Sequence, residues 1–214
     1  TAVIAELGFY MSQEGEIHPS MGPDIFADAG LMEAFTGSVP TGFSYYESDA
    51  GSQWASSQYT ADYHEGASCA KIAATAAASG HGGYSKAVTL IAGKRYRLDG
   101  SYLVTDPAEG SDVRFDIRIG DGSTYLTADG RTLSASGRMR CLDTGGAWRR
   151  FVVDFIAPFT TTTIYMQLTH VSGTPSADLL LDKVTLRRVW RLDTYEARVG
   201  EGDIPPSTTG SPSI

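Results

Sequence analysis

The sequence predicts an all-β protein of antiparallel sheets with one solvated face, and three stretches carry that expectation. In SDVRFDIRIGDG, residues 111–122, Val113, Phe115, Ile117 and Ile119 alternate with Arg114, Asp116 and Arg118. Over residues 163–169, Ile164, Met166 and Leu168 alternate with Tyr165 and Gln167. DLLLDKVTLRRV, residues 178–189, passes from an apolar run into alternation, with Val184 and Leu186 set against Lys183, Thr185 and Arg187. A chain of 214 residues suits one β-sandwich domain with extensions and can bury a sizeable core.

In chain order, residues 1–23 hold an apolar patch and then a polar stretch punctuated by Pro19, Gly22 and Pro23. This segment reads equally as an arm outside the sandwich and as an extra edge strand packed on it. Residues 24–46 pass from an apolar segment to Gly30, Glu33, a Pro-Thr-Gly turn and aromatics. Residues 43–63 crowd Tyr45, Tyr46, Trp54, Tyr59 and Tyr63 among Ser, Gly and Gln. Such rings serve either as a stacking platform for a ligand or as packing between sheets and loops. Residues 68–73 form a strand with Ala70 and Ile72 inward, followed by a loop ending in Gly80, Gly82 and Gly83, with His81 exposed in it.

Residues 84–91 and 95–104 are expected to form a hairpin through Ala92-Gly93-Lys94. In its second strand Tyr96, Leu98, Gly100 and Tyr102 oppose Arg95, Arg97, Asp99 and Ser101. Asp-Gly turns follow at Asp121 and Asp129; neither fits the Asp-x-Asp-x-Asp-Gly calcium loop. Residues 148–155 place Phe151, Val153 and Phe155 inward, and Arg150, Val152 and Asp154 outward. Residues 24–190 are thus the sandwich, flanked by an N-terminal arm, 1–23, and an extended C-terminal tail, 191–214. From Gly200 onward the tail is Gly, Pro, Ser and Thr, which cannot bury enough apolar area to hold itself in place. Ordering it takes the domain's own surface or a neighbouring subunit.

Asp182 stands where the apolar run meets the alternation and is expected on the core-facing side, with Val184. A carboxylate there is costly unless it is paired or binds a metal. Its expected partner lies in residues 24–46.

The motifs, in order, resemble a carbohydrate-binding module of the family 4/9/22 type, a galactose-binding-domain-like sandwich. The opening around Gly30, Glu33 and Pro40-Thr41-Gly42-Phe43 is similar to that family's N-L-L-x-N-G-x-F-E and P-x-G-W elements. GASCAKI, LIAGKRYRLDGSY and AWRRFVVDFIAP resemble its G-S-Y-S-L-K-I, L-x-P-G-K-x-Y-x-L-S-x-Y and W-x-x-F-x-x-x-F-x-A-P, and LLLDKV its closing apolar-apolar-D-D-V strand. The chain departs from the pattern by one extra residue before Glu33, Phe43 in place of Trp, and Lys183 in place of the second Asp. The resemblance implies a jelly-roll topology and a structural calcium ion. Glu33 and Asp182 would hold the ion with backbone carbonyls near residues 64–66. It also implies a sheet order in which Arg114, Asp116, Arg118, Arg150, Tyr165 and Gln167 share one face. With Trp54 and Tyr59, residues Arg114, Asp116, Arg118, Tyr165 and Gln167 are the expected sugar-binding set.

Charged residues make up 20% and apolar residues 42%, as in ordinary globular proteins. A net charge of −8 argues against nucleic-acid and anionic-membrane partners. No apolar run approaches the ~20 residues that span a bilayer. No signal peptide is visible; the chain is expected to be complete, with Thr1 a mature terminus left by removal of either an initiator Met or a signal already cleaved. Cys69 and Cys141 either pair or, as expected here, stay free and half-buried.

No G-x-S-x-G elbow appears, and His18, His64, His81 and His170 lack metal-site spacing. No marked carboxylate pair suggests glycosidase chemistry. The expectation is therefore a protein that is not an enzyme. Its terminal arms and Pro/Ser-rich tail suggest a virion surface component of a tailed phage, as capsid decoration or tail-attached protein. It would bind neighbouring subunits through the arms, and its carbohydrate-binding-module-like domain would contact a surface polysaccharide of the host. The alternatives are an extracellular polysaccharide-binding module of a secreted glycan-degrading system, and a purely structural sandwich.

Overall fold

The structure, a computed structural model, describes residues 20–48, 54–74, 80–105, 112–141, 144, 146–172 and 177–190. These hold β1 (Ser20–Asp24), a 3-10 turn (Ala27–Leu31), β2 (Phe35–Thr36), β3 (Val39–Pro40), β4 (Ser44–Glu47) and β5 (Trp54–Tyr59). There follow β6 (Cys69–Ala74), β7 (Gly80–Thr89), β8 (Arg95–Val104), β9 (Asp112–Gly120), β10 (Tyr125–Leu126), β11 (Leu133–Ser134) and β12 (Met139–Arg140). The chain closes with β13 (Arg149–Ile156), β14 (Thr161–Ser172) and β15 (Asp178–Trp190). Asp24–Arg187 forms one compact unit; the described residues outside it, 20–23 and 188–190, belong to a second. The rest of the expected arm and the whole tail, 191–214, lie outside the described residues.

One sheet has the order β13-β8-β15-β6-β5, and β1 also pairs with β15. The other has the order β11-β10-β9-β14-β7-β4, and β12 also pairs with β9. The protein is a jelly-roll β-sandwich. The two inner faces meet in a single apolar core, as alternating strands require. Tyr84, Phe115, Ile117, Ile119, Ile164, Met166 and Leu168 come from the second sheet, and Ile72, Leu98, Tyr102, Phe151, Phe155, Leu179 and Leu181 from the first. The sheets lock through aromatic rings, with Phe115 5.0 Å from Tyr102 and 5.5 Å from Phe151 between centroids. On β13, Val152 is 50% exposed while Phe151 and Phe155 are buried, as the alternation predicts.

The opening segment lies along the closing strand. Asp24 Oδ1 accepts hydrogen bonds from the N–H of Phe26 (3.0 Å) and of Leu186 (2.9 Å), and Ile25 N–H donates to Leu186 O at 2.7 Å.

Three expectations are corrected. First, residues 84–91 and 95–104 do not form a hairpin. β7 pairs with β14 and β4, whereas β8 pairs with β13 and lies beside β15 in the opposite sheet. The turn carries the chain across the sandwich, its crossing fixed by Gly93 N–H donating to Ala157 O at 2.9 Å.

Second, Asp182 does not share a face with Val184. Leu179 and Leu181 face the main core, and so do Val184 and Leu186. The inward positions therefore switch from odd to even numbers at Lys183, whose φ of +50° adds the one-residue slip of a β-bulge. Asp182 falls with Leu180 on the outer side, where Leu180 packs with Cys69 and Leu103, and with the partly buried Tyr59 and Trp148.

Third, residues 80–83 are strand, not loop, because they pair with β14 through residues 167–170. Gly83 makes this possible, since a Cβ there would fall inside the Met166 carbonyl oxygen. His81 thus stands on a strand rather than in a solvated loop.

Both cysteines are free. Burial pushes each thiol up to about 12.

Candidate functional site

The outer face of the second sheet follows from its register. β14 lies between β9 and β7, so Tyr165 stands opposite Arg118 and Ser85, Gln167 opposite Asp116 and Gly83, and Thr169 opposite Arg114 and His81. Five residues expected at the site, Arg114, Asp116, Arg118, Tyr165 and Gln167, are therefore brought together. Tyr46 joins them from β4, where it pairs with Gly83, and Arg140 from β12, where it pairs with Asp116.

A polar chain runs across this face. Tyr46 OH donates to Gln167 Oε1 at 2.8 Å, and Gln167 Nε2 donates to Thr169 Oγ1 at 2.9 Å. Burial holds the Tyr46 hydroxyl well above its usual pKa, so it remains a donor. The half-exposed Tyr165 ring stands between two others, with centroids 5.1 Å from Tyr46 and 5.7 Å from Tyr125, both edge-on. The Arg118 guanidinium lies 3.6 Å from the Tyr125 ring centre, and the His81 ring is 5.8 Å from Tyr46. Asp116 is 0% exposed, with Arg138 Nη1 at 3.5 Å and Arg140 Nε at 3.7 Å. Its Oδ1 has no hydrogen-bond partner.

Flat aromatic surface beside fixed amide and guanidinium donors is what a sugar ring with C–H faces and hydroxyl edges requires. Tyr125, His81, Arg138 and Arg140 carry no signal of their own in the sequence. β10 and β12 have two residues each, too short to show a period, and His81 sits in a glycine-rich run.

Three other residues lie elsewhere. Trp54 is 5% exposed and packs in the core, against Gly82, where a Cβ would meet its Cβ and Cγ at 2.7 Å. The missing side chain at Gly82 makes the slot that buries the indole, so Trp54 is no exposed platform. Tyr59 belongs to the other sheet, with Lys71 Nζ 4.9 Å over its ring. Arg150 is on that sheet too, with Nη2 3.2 Å from Asp99 Oδ2. The shared face expected to include Arg150 therefore does not. A groove of about 410 Å³ between β12 and β13 borders this face, since Arg140 lines it together with Tyr102, Met139, Cys141, Arg149 and Phe151.

The expected metal residues meet in part. Asp182 is 0% exposed, and its Oδ2 accepts from the N–H groups of His64 and Glu65, both at 2.9 Å. Its Oδ1 has no hydrogen-bond partner, and burial raises its pKa against those bonds. The Glu33 carboxylate fills the space beside Gly66 that a Cβ would occupy, possible because Gly66 has φ +86° and no side chain. An orphaned buried carboxylate oxygen, with a second carboxylate against the same 64–66 loop, fits a hard cation with oxygen ligands. Among the described residues no three His, Cys, Asp or Glu side chains cluster for a metal, so any further ligands would be backbone oxygens or water.

No protein-family model matches the chain, and no curated protein matches it. Solved structures do match. TmCBM61 in complex with beta-1,4-galactotriose aligns with a TM-score of 0.51 and 14% identity, over 78% of this chain and 99% of that one. The arabinose-bound MgGH51 α-L-arabinofuranosidase aligns with a TM-score of 0.52 and 9% identity, over 79% of this chain and 27% of that one. The fold is that of carbohydrate-binding modules. The CBM22-1 xylan-binding domain from Paenibacillus barcinonensis Xyn10C also aligns, with a TM-score of 0.47 and 14% identity over 73% of this chain and 90% of that one. At these identities the likeness to the modules reaches the backbone and not the individual site residues.

Proposed function

We propose that the protein binds polysaccharide, without chemistry of its own, through the outer face of the sheet that carries β9 and β14. The observation that supports this most is the register that lines up Tyr165, Gln167, Asp116 and Arg118 beside Tyr46. Native affinity gels containing β-1,4-galactan, xylan or β-glucan test it. At least one glycan should retard the protein, and Tyr165→Ala should weaken retention about tenfold, the loss of one stacking surface of 1–2 kcal/mol. Arg150→Ala, on the other sheet, should leave it unchanged. Absence of retardation on every glycan, acidic ones included, contradicts the reading.

The protein acts at a virion surface, as capsid decoration or tail-attached component, with its ends on neighbouring subunits. The composition of residues 200–214 supports this, since such a segment gains order from a partner surface. Limited proteolysis should trim both ends of the isolated protein and spare them in an assembly. Protease-resistant ends in a monomer would remove the motive. The alternative, a module of a secreted glycan-degrading system, draws support from the likeness to part of an arabinofuranosidase.

A calcium ion sits between Asp182 and Glu33, offsetting a buried carboxylate that otherwise lacks one partner. Calcium at 100 times its Kd should stabilise by about 2.7 kcal/mol. For a chain of this size that is a rise in Tm of roughly 5–10 °C, reversed by chelator and absent in Asp182→Asn. A Tm that calcium leaves unmoved contradicts it.

A further inference from the structure

We infer that the glycan held by this face is anionic, a uronic-acid polymer whose carboxylates are gripped by Arg118, Arg138 and Arg140; the inference rests on the reading of the face as a glycan site. The chain carries a net charge of −8, yet the described charged side chains on this face run the other way. Arg118 and Arg140 stand on it by register, and Arg138 reaches it immediately before β12; Arg114 stands on it too and has a partner of its own. Asp116 is the carboxylate that Arg138 and Arg140 share, and it is fully buried. Two further acids flank the outward arginines of β9: Asp112 begins the strand, two residues before Arg114, and Asp121, in the turn after it, has its Oδ1 accepting from the N–H groups of Ser123 and Thr124.

One buried carboxylate cannot neutralise the guanidinium groups of Arg118, Arg138 and Arg140 together. It anchors two of them loosely, since 3.5 and 3.7 Å are long beside the ~2.7–2.9 Å of a close charge-assisted bond. Arg138 and Arg140 remain 42% and 51% exposed and keep most of their five donors. Arg118 is held over the Tyr125 ring and donates to Ala135 O at 3.2 Å. The result is a set of oriented forks beside aromatic rings and an amide. Planar forks match carboxylates in a way that a lysine's point charge does not. The rings and the Gln167 amide suit the hydroxylated sugar between those carboxylates. A neutral glycan would leave the excess positive charge unanswered.

The test compares polygalacturonate with the same polymer after its carboxylates are reduced to primary alcohols, together with alginate, a sulfated glycan and neutral β-1,4-galactan. The expected result is at least tenfold tighter binding to polygalacturonate or alginate than to the reduced polymer. That preference should shrink as salt rises from about 0.05 to about 0.5 M, because exposed charges are then screened. Arg138→Lys/Arg140→Lys keeps the charge beside Asp116, so the fold is retained, and it should lose about fivefold or more on the acidic polymer alone. Arg138→Ala/Arg140→Ala should lose more, with circular dichroism checking that it folds. Equal or tighter binding to the reduced polymer or to galactan overturns the inference and leaves the glycan site standing. Retention on the sulfated glycan alone overturns the carboxylate assignment. No binding to any of the five overturns the site and the inference together.

Discussion

Phe115→Ala is expected to destabilise the protein by about 3–5 kcal/mol, a large fraction of the roughly 5–15 kcal/mol that holds an ordinary domain folded. Phe115 is 1% exposed on β9, and its ring crosses the sandwich to meet Tyr102 and Phe151 of the opposite sheet. Removing it deletes the ring's transfer free energy and leaves a void between two sheets whose backbones are tied into ladders and cannot close on it. Edge-on ring pairs add about 0.5–1.5 kcal/mol that alanine forfeits as well. Urea unfolding measures the change as a fall in midpoint at constant m-value. Phe115→Leu should recover more than half of it, and a loss under about 1.5 kcal/mol for alanine would mean the sheets do not meet there.

Gly30→Ala has the second large effect and tests a different contact. A Cβ at Gly30 would fall inside the carbonyl oxygen of Val184, with Phe26 Cβ at 3.3 Å on another side. The obstacle is backbone of the closing strand, so no rotamer change relieves it. The opening segment must lift away, loosening the bonds of Ile25 and Asp24 to Leu186. The expected cost is at or above the upper end of the roughly 1–3 kcal/mol typical of overpacking. Gly37→Ala is the control: it adds a Cβ with nothing within 4 Å, in a turn where φ is +64°, and costs only the local strain of that conformation. Equal effects of the two substitutions would contradict the packing of residues 24–34 on β15.

What could be read from the residues was whatever has period two over several positions. β9, β14 and β13 alternate cleanly, and they alone place Tyr165 and Gln167, and Arg114, Asp116 and Arg118, outside the core. Pairing partners were less legible. A short turn at Ala92-Gly93-Lys94 looks the same whether it closes a hairpin or carries the chain between sheets, because the deciding hydrogen bonds go to residues some 65 positions away. The slip at Lys183 was hidden for a related reason, since Leu180 and Leu181 are both apolar and the run has no phase until Val184. Trp54 misled because its slot is made by what Gly82 lacks. Its flanking Gln and Ser residues do not report a ring buried in the core. Half of the site face was legible. Tyr46 was legible only as one of several candidate rings, and the remainder, from His81, Tyr125, Arg138 and Arg140, depends on which strands lie next to which.

The central claim is that glycan is bound on the outer face of the sheet carrying β9 and β14. Its most direct test is an amide chemical-shift titration of the full chain with oligogalacturonide and, separately, with β-1,4-galacto-oligosaccharide. The perturbed amides should map to Tyr46, His81, Arg118, Tyr165, Gln167 and Thr169 with whichever oligosaccharide binds. Perturbations confined to residues 149–154 on β13, or to Tyr59 and Trp148 on the opposite sheet, would contradict it.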